Sequence, residues 1–193
     1  MKEKLNFLQK LGLFLVAVSA LTLLGTEFLA SRQGENARNL YSQIRSDIAQ
    51  TYEGDPGDYS DPEMPVLHRE GENFVCLLDV PAFGIRLPVA GQWDSNRINR
   101  YPCRFWGSAY DNSLILGGSN WKGQLDFLDK LDLGDRLVIT DMTGGEFSYE
   151  VTEILRRGHT DLETLQQIRG DLTLFARDPA STGYIVVRCA FAP

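Results

Sequence analysis

The sequence predicts a mostly-β domain, either a barrel or a sandwich, behind an N-terminal helical region. Short apolar stretches recur at residues 74–80, 85–89, 114–116, 136–141, 147–154, 172–175 and 184–187. Glycine, proline and aspartate separate these stretches, and helical spacing is confined to short segments between them. Many short strands with few short helices are typical of barrels and sandwiches.

Composition places the chain among ordinary globular proteins and excludes several classes of function. The 193 residues suffice for one domain and an appendage, and 43% are hydrophobic and 23% charged. A net charge of -7 argues against a nucleic-acid partner, because little is present to neutralise phosphates. His, Cys and acidic residues lack metal-ligand spacing, and the glycine pairs are too short for phosphate loops. We therefore expect neither a metal nor a cofactor.

Residues 1–32 predict a signal anchor that crosses the membrane once. Residues 11–26 carry no charge, Lys2, Lys4 and Lys10 precede them, and an apolar triplet extends the run past Glu27. About 20 apolar residues span a bilayer, and the lysines place the N-terminus in the cytoplasm and the domain outside. A cleaved signal peptide is the alternative, although residues 28–30 (FLA) make a poor cleavage site. A buried soluble helix is a third interpretation.

Residues 33–52 predict a stalk helix that docks on the domain. Apolar residues recur there at three- and four-residue spacing: Ala37, Leu40, Tyr41, Ile44 and Ile48. The polar face mixes Arg38, Arg45 and Asp47, whereas a membrane-surface helix favours a basic face. Residues 53–69 read as an acidic linker rich in Pro and Gly, and residues 70–193 form the globular domain.

Within the domain, turn residues and helical spacing indicate where further elements lie. Residues 126–131 have the spacing of a short helix, and Thr143, Gly144 and Gly145 predict a hairpin loop. A capping box at residues 160–163 opens a helix that extends to about residue 168. The last two strands, at 172–175 and 184–187, are apolar enough to be buried on both faces.

Four stretches of the domain resemble sortases. They are FVCLLDVPAFGIRLPVAGQW, YPCRFWGSAYDNSLILGGSNW, LDFLDKLDLGDRLVITDMTGGEFSYEV and DLTLFARDPASTGYIVVRC, and the second is similar to a stretch of class B-like sortases. The similarity runs from about residue 74 to residue 189, and anchor, stalk and linker are the usual sortase layout. The resemblance implies a sortase-like closed β-barrel.

The resemblance also implies an activity, together with the residues that would perform it. Sortases are membrane-anchored cysteine transpeptidases of Gram-positive surfaces, which hold a sorting-signal peptide as a thioester and pass it to an amine. That chemistry uses a Cys thiolate, a His and an Arg. Matched by position, the family's His falls on Ser119, its Cys on Arg177 and its Arg on Tyr184. All three are substituted, so we predict that these positions are not catalytic.

Other residues do not offer an obvious replacement for the missing groups. His68 lies at the edge of the linker and His159 in a loop, and both read as solvated surface residues. Cys76, Cys103 and Cys189 lie outside the matched catalytic positions. Cys76 reads as a core residue, whereas Cys103 and Cys189 could form a disulfide or remain buried thiols.

The residues near the substituted positions have two interpretations each. Arg177 is expected to form a surface ion pair with Asp178 or another nearby acid; alternatively, with Tyr184, it clamps a peptide carboxylate. The aromatic residues Trp106, Trp121 and Phe175 are expected in the core rather than in a ligand platform.

Together these patterns predict an inactive sortase paralogue at the cell surface that binds a peptide or a surface-protein partner. An active enzyme with a relocated nucleophile, one of the cysteines, is the first alternative. A structural subunit of a pilus or surface-protein assembly complex is the second.

Overall fold

The structure is a computed structural model that describes residues 7–51, 59, 61–158, 164 and 170–193. These residues form one long helix, α1 (Phe7–Thr51), followed by nine strands. The strands are β1 (Leu67–Arg69), β2 (Glu72–Val80), β3 (Ile85–Ala90), β4 (Cys103–Trp106), β5 (Leu114–Gly118), β6 (Arg136–Asp141), β7 (Glu146–Arg157), β8 (Leu172–Arg177) and β9 (Tyr184–Phe191).

Eight of the strands close into a barrel. Around it the order is β2-β3-β4-β5-β8-β9-β7-β6, and β6 pairs back onto β2. The short strand β1 pairs with the first residues of β2, on the edge that β6 occupies further along. The pairs β3–β4 and β5–β8 are parallel, and the others are antiparallel. The closed barrel is therefore confirmed over the sandwich.

The barrel interior is filled by apolar side chains, as an eight-stranded barrel of this size requires. Large, fully buried residues come from several strands around the barrel: Phe74, Leu78, Leu87, Leu114, Leu116 and Tyr149. Both closing strands are largely buried along their length, as predicted for strands covered on two faces.

Helix α1 docks its C-terminal part, which includes the residues assigned to the stalk, on the barrel. The residues of its predicted apolar face are all buried: Ala37, Leu40, Tyr41, Ile44 and Ile48. Polar contacts flank this face, because Arg45 reaches Glu146 at 2.7 Å and Tyr41 hydrogen-bonds to Asp79. The predicted anchor and the predicted stalk lie in one continuous helix. Among the described residues, we find no helix with the length and apolar character that crossing a membrane requires.

All seven predicted strands are present, and two further strands were not predicted. β1 lies in the stretch assigned to the linker, where Met64 is also buried. β4 has only four residues and contains Arg104, so its apolar pattern is weak. The predicted helix at 126–131 is a single 3-10 turn, Leu128–Lys130. Apart from residue 164, the helix predicted after the capping box lies outside the described residues.

Candidate functional site

The positions predicted from the family match come together at one end of three neighbouring strands. Arg177 ends β8 and pairs directly with Tyr184, the first residue of β9. In the parallel pair β5–β8, Gly118 lies opposite Ala176, and Ser119 follows at the next position. The register therefore gathers Ser119, Arg177 and Tyr184, which we call the substituted cluster.

Two arginines flank the aromatic ring of this cluster. Tyr184 pairs with Arg177 on one side and with Arg157 of β7 on the other, and directly paired residues share a face of the sheet. The Arg177 guanidinium carbon lies 5.9 Å from the centre of the Tyr184 ring, at the outer limit of a cation–π contact. Both arginines are exposed, so this face presents positive charge to solvent.

Arg177 was expected to form an ion pair with Asp178 or another nearby acid, and Asp178 was the wrong partner. The Asp178 carboxylate is 5% exposed and binds Arg156 at 2.8 Å instead. It also accepts hydrogen bonds from the Ala180 amide and the Ser181 hydroxyl. Asp178 directly follows Arg177 at the end of β8. Consecutive side chains of extended backbone point to opposite faces, so the Asp178 carboxylate lies on the face away from the Arg177 guanidinium.

Ser119 is held by its backbone and has no base beside it among the described residues. Its N–H donates to the Ile98 carbonyl at 3.2 Å, and its carbonyl accepts from Leu125 at 3.1 Å. Its hydroxyl lies 3.4 Å from the Gln124 side-chain oxygen, and a carboxamide cannot take up a proton at neutral pH. His68 lies in β1, bonded to Asn73, whereas His159 lies outside the described residues.

Beside the substituted cluster, aromatic rings cover the outer face of the barrel. Trp93, Phe105 and Phe175 lie with ring centres 5.3 to 5.4 Å apart, and Tyr184 joins Phe175 at 5.9 Å. These four residues form what we call the aromatic floor. A methyl group on Gly117 would lie 2.4 Å from both Trp93 and Phe175, so only glycine lets the rings pack this closely.

The predicted burial of the aromatic residues is confirmed in part. Phe175 is buried in the aromatic floor, at 1% exposure. Trp106 and Trp121 are 38% and 46% exposed, so their assignment to the core was wrong. Trp93 and Phe105 were not singled out from the sequence, although both lie in stretches that carry the family resemblance.

An open pocket continues from the aromatic floor on the side away from Arg177. It has a volume of about 580 Å³, and Trp93, Arg104, Phe105 and Trp106 are among its lining residues. Arg104 is oriented by a hydrogen bond to the Gly91 carbonyl at 3.2 Å. The site thus extends from a cationic end to a pocket with aromatic walls.

A family model identifies the domain. The model described as the sortase domain matches residues 78–189, more than half of the chain. The chain belongs to the sortase family. Comparison with curated proteins found no match.

Solved structures of sortases share the fold at low sequence identity. Sortase C-1 from Actinomyces oris matches with a TM-score of 0.55 and 19% identity, over 79% of this chain and 99% of that chain. A Clostridium perfringens sortase D5 transpeptidase matches with a TM-score of 0.54 and 17% identity, over 84% and 98% of the two chains. At these identities the likeness concerns the fold.

The three cysteines of this sortase-family chain are buried. Cys76, Cys103 and Cys189 are free thiols inside the barrel wall, and each is at most 1% exposed. Burial raises the pKa of Cys103 and of Cys189 to about 12, and it also raises the pKa of Cys76. A thiol with a raised pKa remains protonated at neutral pH, and the thiolate is the reactive form.

The structure also bears on metals. In the described part of the chain, no three or more His, Cys, Asp and Glu side chains lie together as metal ligands. The side chains of the substituted cluster are a guanidinium, a phenol and a hydroxyl group, which can bind and orient anionic or polar groups.

Proposed function

We propose that this sortase-family domain has lost transpeptidase activity and binds a peptide or a surface-protein partner at the substituted cluster. The observation that carries the proposal is the exposed Arg177, which lies at the position matched to the family's cysteine. The neighbouring Asp178 carboxylate forms its ion pair with Arg156 and not with Arg177. A guanidinium cannot act as a nucleophile, but it binds a carboxylate through two parallel hydrogen bonds.

The partner group that fits this end of the site is a carboxylate of an extended peptide. Arg157 and Arg177 flank Tyr184, whose hydroxyl adds a donor between two positive charges. The exposed Trp106 and Trp121 offer apolar surface for neighbouring side chains. The pocket beyond the aromatic floor adds polar groups, which include Glu63 and Asp111. The resemblance of residues 101–121 to class B-like sortases stays a prediction.

A binding experiment tests this proposal on the full chain in non-ionic detergent. Fluorescently labelled peptides with a free C-terminal carboxylate are compared with the same peptides carrying a C-terminal amide. We expect the carboxylate forms to bind more tightly, and Arg177→Gln to weaken their binding about tenfold or more. Arg136→Gln removes the same charge from β6 and should leave binding unchanged.

Two outcomes would refute the proposal. One is appreciable thioester formation or peptide transfer by the wild-type chain with a sorting-signal peptide and an amine. The other is equal binding of carboxylate and amide peptides, with no effect of Arg177→Gln.

We further propose that the domain is held outside the cell membrane, with the N-terminus in the cytoplasm. Support comes from the exposed apolar residues in the first part of α1: Leu11, Leu13, Phe14, Leu15, Val16, Val18 and Leu21. Lys10 precedes them on the same helix. In producing cells, alkaline extraction should leave the chain in the membrane, and external protease should digest the domain. An intact-mass measurement separates an uncleaved anchor from a processed signal peptide.

A further inference from the structure

A second pocket, far from the aromatic floor in the fold, lies between α1 and β3. It has a volume of about 390 Å³, and its lining residues are Arg38, Tyr41, Ser42, Arg45, Gly84 and Arg86. Half of these residues are arginines, and none is acidic. The chain as a whole carries a net charge of -7, so this local excess of positive charge does not reflect the average composition.

The acidic partners of these arginines lie on the opposite side, in an adjoining pocket. That pocket, of about 370 Å³, shares Tyr41, Arg45 and Arg86 and is also lined by Asp79 and Glu146. Glu146 binds Arg45 at 2.7 Å, and Asp79 lies 3.5 Å from Arg86. These acids orient two of the arginines from one side and leave the first pocket lined by cations.

The arginines come from two elements that pack firmly together. Arg38 and Arg45 are seven residues apart on α1, which is two helical turns, and so they share one side of the helix. Arg86 projects from β3, with 67% of its side chain exposed. The docked face of α1 fixes their relative positions, because Tyr41 and Ile44 are buried between them and the barrel.

We propose that this pocket binds a phosphate group, as a phosphate monoester or a phosphodiester. One guanidinium suffices for the two oxygens of a carboxylate, whereas several guanidiniums around one open pocket suit the additional oxygens and charge of a phosphate. The site is separate from the substituted cluster and does not depend on the function proposed there.

Two sources could supply this phosphate. One is a soluble phosphodiester outside the cell, and the other is a phospholipid headgroup. Arg38 lies 17 residues beyond the exposed Leu21 on α1. At 1.5 Å per residue this is about 26 Å along the helix axis; if the predicted anchor, which ends at residue 32, spans the bilayer, Arg38 lies about 9 Å beyond its end, within reach of lipid headgroups.

Calorimetric titration of the full chain in non-ionic detergent tests the proposal, with inorganic phosphate and glycerol phosphate as probes. We expect saturable binding that weakens about tenfold or more in Arg38→Gln and in Arg86→Gln. Both side chains are exposed, so neither variant should lose its fold. The matched control is Arg136→Gln, which removes one positive charge on β6 and should bind as tightly as wild type.

Absence of saturable binding would overturn the proposal, as would an equal loss in Arg136→Gln, which would indicate only diffuse attraction. Reconstitution in nanodiscs then separates the sources. If a headgroup fills the pocket, discs containing phosphatidylglycerol should weaken binding of glycerol phosphate relative to zwitterionic discs, and only while Arg38 is present. If the ligand is soluble, both kinds of disc should give the same affinity.

Discussion

Gly117 shows how one residue determines the surface beside the substituted cluster. It lies in β5, opposite Phe175 of β8, and Trp93 packs over it from the segment that follows β3. Because Gly117 has no side chain, the rings of Trp93 and Phe175 can pack directly against the backbone of β5. The aromatic floor therefore depends on a residue that contributes no side chain to it.

Gly117→Ala should destabilise the domain by roughly 1–3 kcal/mol, because its methyl group would overlap both rings and force them apart. The free energy of unfolding in urea measures this effect. Gly158→Ala is the control: an added methyl group there meets nothing within 4 Å, so its effect should stay within about 0.5 kcal/mol. Equal free energies of unfolding for the two variants would show that Trp93 and Phe175 can move aside without destabilising the domain.

Asp178 should make the stability of the domain depend on pH in the acid range. The hydrogen bond from the Ala180 amide, together with the Arg156 guanidinium and the Ser181 hydroxyl, holds the pKa of Asp178 below its usual value. A carboxyl group with a lowered folded-state pKa stabilises the fold above its unfolded pKa of about 3.9. That stabilisation is lost as the pH falls through the folded-state pKa.

Asp178→Asn should therefore lower the free energy of unfolding at neutral pH and flatten its decline below about pH 4. Urea unfolding at a series of pH values provides the measurement. Asp129→Asn, at an exposed residue of a 3-10 turn, serves as the control. A decline as steep in Asp178→Asn as in the wild type would show that Asp178 does not contribute to it.

At the scale of elements, α1 combines two regions of different character. Its exposed apolar residues lie between Leu11 and Leu21, whereas its second part buries one face against the barrel and pairs its polar residues with strands. A continuous helix connects the two, so any force on the first part is transmitted to the docked part. The docking contacts should accordingly be strong.

Ile44→Ala should cost about 2–5 kcal/mol, because Ile44 is fully buried between α1 and the barrel and the truncation leaves a cavity. Asn39→Ala, five residues earlier on the exposed side of the helix, should be nearly neutral. Urea unfolding gives both values, and limited proteolysis should show earlier cleavage within α1 in the Ile44 variant. Similar stabilities would indicate that the helix is only loosely docked.

At the scale of the whole molecule, the barrel keeps its three thiols inside, whereas Arg177 lies on its surface. Ellman's reagent should therefore label the native full chain only as fast as the chain unfolds. Arg177→Cys provides an exposed thiol in the same background and should react rapidly with one equivalent of reagent. Rapid labelling of a wild-type cysteine would restore the alternative of a relocated nucleophile.

The barrel also brings together the three positions matched to the family's catalytic residues. Ser119→His, Arg177→Cys and Tyr184→Arg combined should yield measurable cleavage of a fluorogenic sorting-signal peptide, because the register already places them at neighbouring strand ends. Single changes should remain inactive, since the three groups act as a unit. Turnover by Arg177→Cys alone would contradict this.

The local pattern of the sequence was sufficient for seven of the nine strands, the docked face of α1 and the family. Each depends on periodicity, turn residues or ordered motifs, which belong to a single segment of chain. The buried residues Leu40 and Ile44 were predicted from their spacing alone, and so was the pair of strands around Asp178. The three-residue β1 and the four-residue β4 were missed because so short a segment shows no periodicity.

Only the tertiary structure decided which side chains meet. Two contacts join residues far apart in sequence: Asp178 pairs with Arg156, and Trp93 packs on Phe175. The exposure of Trp106 and Trp121 likewise depends on which segments fold next to them. The same holds for the arginines of α1 and β3. These contacts follow from strand register and barrel closure, which are fixed by the packing of the whole core and leave no mark on the spacing within one segment.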